Sequence, residues 1–150
     1  MEEDEYRATY GEINPRRCVF EKAINSRVCN CARAHRFNLA DREGVACRSD
    51  SAQRLCQQCL NGLRRNARFA LGLMRAEGPL PHSAEIRVQN GGLTGLQGLL
   101  GLAREQGPSV ADIHAVVAQA VQRFGTVEAL PYDRIVPSVV HYRGRRRSRR

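Results

Sequence analysis

The chain is expected to be mainly α-helical, a compact multi-helix bundle with a cysteine-rich N-terminal half and little or no sheet. Three observations lead there. Two long stretches, around residues 55–74 and 110–124, place apolar residues at helical spacing. Strand-like alternation is confined to residues 84–89, a single segment with no second one to pair with. All six cysteines fall between Cys18 and Cys59.

Residues 1–13 open with Glu2-Glu3-Asp4-Glu5 and show no periodicity, which predicts a flexible acidic N-terminus. Asn14-Pro15 is a good helix start, with Asn as cap and Pro in the first helical position. Phe20, Ala23, Ile24, Val28 and Cys31 follow at helical spacing, with His35 one turn beyond Cys31, so one or two helices are expected through about Phe37. Asn38 would cap a short third segment over 39–44. Asp50 or Ser51 would cap a helix reading through Leu73. Its buried stripe is Leu55, Cys56, Cys59, Leu60, Leu63, Ala67, Ala70, Leu71 and Met74, opposite Arg54, Gln57, Arg64, Arg65 and Arg68.

Two prolines and a glycine in 75–83 predict a linker, followed by an extended connector over 84–89 and a turn at Asn90-Gly91-Gly92. Glycines at 92, 95, 98 and 101 would give a helix a smooth edge for close approach of another backbone. Ser109 and Asp112 resemble a capping box for a helix through Phe124 that Gly125 ends. A last helical segment over 131–142 is expected to break or restart at Pro137. The organisation predicted is a single helical domain over 14–142, with a cysteine-rich part (14–74) and a helical part (84–142), and a disordered Arg-rich tail over 143–150.

The formal charge is +9, and the body stays basic without its acidic and basic ends. Lys22 is the only lysine among 24 basic residues, an arginine bias that points to a GC-rich bacterial genome. There is no tryptophan, so aliphatic side chains must supply most of the packing. The first twelve residues lack the positive and apolar regions of a secretion signal, and no apolar run approaches the ~18 residues of a membrane span. A cytoplasmic, reducing location is expected, where clustered thiols are more often metal ligands or redox groups than disulfides.

The spacing is Cys18-x10-Cys29-x-Cys31-x15-Cys47-x8-Cys56-x2-Cys59. Thiolates select zinc, copper(I) and iron–sulfur clusters, and a cubane or a tetrahedral zinc takes four. The candidate ligands are therefore Cys18, Cys29, Cys31, Cys47, Cys56 and Cys59, with His35 as a seventh. A helical cage would offer one thiolate per segment: Cys18, Cys31, Cys47 and either Cys56 or Cys59. The spacing matches neither the paired knuckles of a zinc ribbon nor the compact run of a bacterial ferredoxin. An iron–sulfur cluster is favoured over zinc because turn-forming knuckles are missing. Free cysteine also packs as a small hydrophobe, which alone would explain Cys56 and Cys59 on their apolar stripe. Cys56 and Cys59 have the spacing of a redox dithiol but lie inside a helix, away from the N-terminus that would activate them.

No Ser/His/Asp set, nucleophile elbow or phosphate-binding glycine loop is present, so hydrolytic catalysis has no support. Arg143, Arg145, Arg146, Arg147, Arg149 and Arg150 can contact phosphates of nucleic acid without sequence preference. The reading is a small metal-binding accessory protein rather than an enzyme in its own right. It would hold an iron–sulfur cluster for electron transfer, redox sensing or cofactor-enzyme maturation with a protein partner. The alternatives are a zinc-stabilised nucleic-acid-binding or regulatory protein using the Arg tail, and a metal-free helical interaction module.

Overall fold

The computed structural model describes residues 2–73, 80–104 and 106–143. In chain order the elements are α1 (Glu3–Ile13), α2 (Glu21–Asn25), β1 (Ala34–Leu39), β2 (Arg42–Cys47), α3 (Asp50–Ala67) and α4 (His82–Ile86). A π-helical turn (Arg87–Gly91) joins α4 to α5 (Gly92–Leu99), and α6 (Ile113–Phe124) and α7 (Tyr132–His141) complete the set. The structure is mostly helical, with one two-stranded sheet among the described residues. None of the described helices is long and apolar enough to cross a membrane.

The core is one contiguous cluster. Leu60 and Leu63 of α3 stand at its middle, with Val88, Leu93, Leu96, Ile113, Val117, Ile135 and Val139 from the later helices and Phe20, Ile24 and Val45 from the N-terminal part. The α3 amphipathic pattern is realised, but its cap is Ser49, whose hydroxyl accepts from the Ala52 N–H at 3.2 Å, one residue before the two candidates. The helix ends at Ala67 rather than Leu73, and Met74 lies outside the described residues.

The single long helix expected over 15–37 does not form. Arg27 takes a left-handed conformation (φ 66°) and stops the five-residue α2. The chain beyond is laced to the distant segment before α6: Asn30 N–H donates to Val110 O at 2.8 Å, and Ile113 N–H donates to Asn30 O at 2.9 Å. Those long-range backbone bonds override a periodicity that Val28 and Cys31 share with helices. The same lacing draws Val110 out of the helix expected from Ser109, so α6 begins at Ile113 and ends, as anticipated, at Gly125 (φ 101°).

Residues 39–44, read as a short helix, are the end of β1, the hairpin turn and the first half of β2. β1 and β2 pair antiparallel from Ala34↔Cys47 to Leu39↔Arg42, closed by Ala40 and Asp41, both at positive φ (49° and 69°). That is the twist a two-residue hairpin requires, made here without the usual Asn-Gly. Gly44 faces Phe37 so closely that a Cβ would lie 2.4 Å from the ring.

The acidic N-terminus is helical. Tyr10 of α1 is buried, 5.7 Å from the Phe37 ring centroid, and its hydroxyl donates to the buried Glu21 carboxylate. Glu21 also accepts from Val45 N–H at 2.8 Å and pairs with Arg17 at 2.6 Å. Asn14 bridges Tyr10 OH and Val45 O at 2.9 and 3.0 Å. Tyr10, with Glu3 paired to Arg42 at 2.8 Å, thus holds a helix whose acidic start carries no apolar stripe.

Residues 84–89, expected to be extended, are helical and run into the π turn. The turn brings Gly91 against α7, where a Cβ would stand 2.7 Å from Ser138 O and from Val139 Cα. Gly92 packs on the Leu63 side chain, Gly95 on Ser138 and the Ile135 carbonyl oxygen, and Gly98 and Gly101 face open space, so of the four only Gly95 meets another backbone. Pro137 sits inside α7 without interrupting it. Because the obstacle at Gly91 is backbone rather than a movable side chain, Gly91→Ala is expected to destabilise the protein by about 1–3 kcal/mol despite alanine's better helix propensity. A lowered urea midpoint with unchanged slope would show it.

A second polar centre lies behind α3. Arg64 pairs with Glu85 at 2.7 Å, their side chains 12% and 1% exposed. Glu85 also accepts from Gln89 at 3.0 Å and from Leu80 N–H at 3.1 Å.

Candidate metal centre

Four of the six cysteines meet at one cavity. The chain around residues 16–18 runs beside β2 as a partial third strand: Arg17 bridges Ala46, Cys18 N–H donates to Val45 O at 2.9 Å, and Cys47 N–H donates to Arg16 O at 2.7 Å. This sets Cys18 next to Cys47 at the end of β2. The Ala34↔Cys47 register brings the start of β1, and with it Cys31, to the same end of the hairpin. α3 begins three residues after Cys47 and delivers Cys56 almost two turns along. Cys18, Cys31, Cys47 and Cys56 line the cavity together with Val19, Phe20, Arg33, Ala34, Ala52, Gln53, Ile113 and His114.

About 20 Å³ of this space is open to the centre of a water molecule, within about 320 Å³ of unfilled volume that includes the mouth. Among the described residues, no group of three or more His, Cys, Asp or Glu side chains is arranged to hold a metal ion.

The thiols affect one another. Burial, then the neighbouring Cys31 and Cys47 sulfurs, push Cys18 up to about 12, against a Phe20 backbone N–H that favours its thiolate. Cys56 is raised further still, first by burial and then by Cys59, Cys18, Cys31 and Cys47. Cys31 is raised by burial, although the backbone N–H groups of His114 and Arg33 both donate to its sulfur. At Cys18 and Cys56 the neighbouring sulfurs oppose ionisation, an effect that a bound cation would reverse.

The remaining candidates lie elsewhere. Cys29 is fully buried in the core, paired by a backbone bridge with Val110, and burial alone pushes it to about 12. Cys59 is also fully buried, raised by burial to about 12, and is absent from the cavity wall, so of the two α3 cysteines left open it is Cys56 that lines the site. Raised thiols inside a helix are the reverse of an activated redox dithiol. His35 is exposed on β1, its Nδ1 3.4 Å from an Arg48 nitrogen, and is not among the cavity residues. His114, which sequence alone placed beside an apolar stripe, lines the cavity instead, its imidazole held below the ordinary histidine value by burial and by Arg33. Only the left-handed break at Arg27 and the 28–113 lacing bring it there, and neither leaves a mark in the local pattern. Of the Arg-rich tail, Arg143 is described and exposed, while Arg145, Arg146, Arg147, Arg149 and Arg150 lie outside the described residues.

Comparison of the chain with family models, with curated proteins and with solved structures found no match.

Proposed function

We propose that the protein is a small accessory protein that binds an iron–sulfur cluster through Cys18, Cys31, Cys47 and Cys56. The observation that carries this reading is that four thiols from four separate segments line one cavity, while the other two cysteines are buried in the core. Backbone N–H groups aimed at the Cys18 and Cys31 sulfurs are the donors that tune cluster potentials. With all four ligand positions filled by protein, such a cluster would pass electrons, sense oxidation or serve cofactor-enzyme maturation rather than bind a substrate at an open iron.

Anaerobic purification, or reconstitution with ferrous iron and sulfide, should give a brown protein holding about four iron and four sulfide per chain, the content of a cubane held by four thiolates. A colourless protein with stoichiometric zinc and no sulfide would replace this reading with the zinc-stabilised one. Six titratable thiols and no metal would leave a helical interaction module.

A further inference from the structure

Among the described residues that line the four-cysteine cavity there is no carboxylate, and Arg33 is the one permanently charged side chain. It is half-buried and takes part in none of the ion pairs found among the described residues. Its guanidinium stands near enough to the His114 imidazole, on the same wall, to oppose a second positive charge there. Asp112, which also acts on His114, accepts from the Ala32 N–H at 3.3 Å and makes no ion pair with Arg33.

The hairpin sets a second cation beside the first. Its ladder ends at Ala34↔Cys47, and one step further Arg33 lies opposite Arg48, whose N–H donates to Arg33 O at 2.9 Å. Like charges directly opposite one another on paired strands are destabilising. Arg48 is exposed, within 3.4 Å of the His35 Nδ1, and does not line the cavity. The open end of the hairpin thus carries two arginines outside every ion pair of the described residues, and one of them borders the space the four thiols share.

A cluster held by four thiolates is an anion, and an electron added to it deepens that charge. A fixed cation on the wall therefore stabilises the reduced form more than the oxidised one, and burial limits how far water and salt screen it. We infer that the Arg33 guanidinium is the counter-charge that raises the reduction potential of the bound cluster, and that the cluster in turn offsets the repulsion between Arg33 and Arg48. This rests on the cluster reading and adds to it the residue that tunes the centre.

The test is a dithionite titration of the cluster-loaded full chain with redox mediators, followed by visible absorbance. The step read is one electron passing from dithionite to the cluster, with no bond made or broken. Arg33→Gln should lower the ratio of reduced to oxidised cluster on the order of tenfold at a given potential, a midpoint ~59 mV more negative. Arg33→Lys should stay close to the parent, and Arg48→Gln, off the cavity wall, should move the midpoint much less. In protein stripped of iron and sulfide, Arg33→Gln should leave the urea midpoint unchanged or raise it, because it removes a like charge from Arg48. Loss of the cluster from Arg33→Gln but not from Arg33→Lys would support the same requirement for charge. An unchanged potential in Arg33→Gln, an equal shift in Arg33→Lys or Arg48→Gln, loss of the cluster from both Arg33 variants, or a lowered urea midpoint in stripped Arg33→Gln would overturn the inference and leave the cluster reading standing. A parent chain that takes up no iron and sulfide would overturn both.

Discussion

With the proposed cluster bound, replacing any one of Cys18, Cys31, Cys47 or Cys56 by alanine is expected to strip the chain of iron and sulfide, whereas Cys29→Ala and Cys59→Ala should retain both. The cavity wall makes the division: the first four line it and the last two do not. Losing one thiolate of four should cost metal affinity more than the ~10–100-fold that follows loss of an outer-shell partner. Cys29→Ala and Cys59→Ala should instead lower stability by about 1 kcal/mol, as small side chains removed from a packed core do. Iron, sulfide and the visible spectrum of each purified variant decide it, with far-ultraviolet circular dichroism to show that the variant is folded. His35→Ala, at an exposed strand position, should leave the spectrum untouched. Retention of the cluster in Cys47→Ala together with its loss in Cys59→Ala would sink the assignment.

Glu85→Ala is expected to produce the largest loss of stability, about 3–5 kcal/mol, because it leaves the Arg64 guanidinium nearly buried with no counter-charge. Replacing both partners by apolar residues of similar size, Arg64→Met with Glu85→Leu, should recover most of that loss. The same pair gives a pH dependence. Burial pushes the Glu85 carboxyl up, but the hydrogen bonds from Arg64, Gln89 and Leu80 N–H outweigh it and hold the group below its ordinary 4.5. A carboxyl depressed in the folded state stabilises fully above its unfolded value. That contribution fades as pH falls below about 4.5 and through the folded value. Chemical unfolding midpoints measured downward from neutral pH should therefore fall less steeply in the Arg64→Met/Glu85→Leu protein than in the parent.

The parts of the molecule legible in sequence are those where a local pattern and the tertiary environment agree. α3 carries an apolar stripe over its whole length, and Gly125 closes α6 as a C-terminal glycine should. The four cysteines of the cavity wall come one from each of four segments. The segments themselves were less legible. β1 reads Ala-His-Arg-Phe-Asn-Leu, with too few branched residues to announce a strand, and its turn forces Ala40 and Asp41 into a conformation that alanine seldom adopts. α1 looked solvated because its hold on the body is polar, the Tyr10 knot together with the contacts of Glu3 and Tyr6 to Arg42, rather than a hydrophobic face. Arg33 and His114 reach the cavity through pairing between segments some eighty residues apart, which no local spacing encodes.

The cavity's wall is spread along the chain: Cys18, Cys31, Cys47 and Cys56 enclose stretches of 12, 15 and 8 residues between them. The first two stretches hold a five-residue helix and a two-stranded hairpin, neither of which stands by itself in water, and the third holds the start of α3. An inorganic knot at their common point would act as three loop closures at once, removing entropy from the unfolded chain much as a set of cross-links does. Metal starvation would then act first as a folding defect of the N-terminal third, exposing it to proteases while the later helices keep their shape.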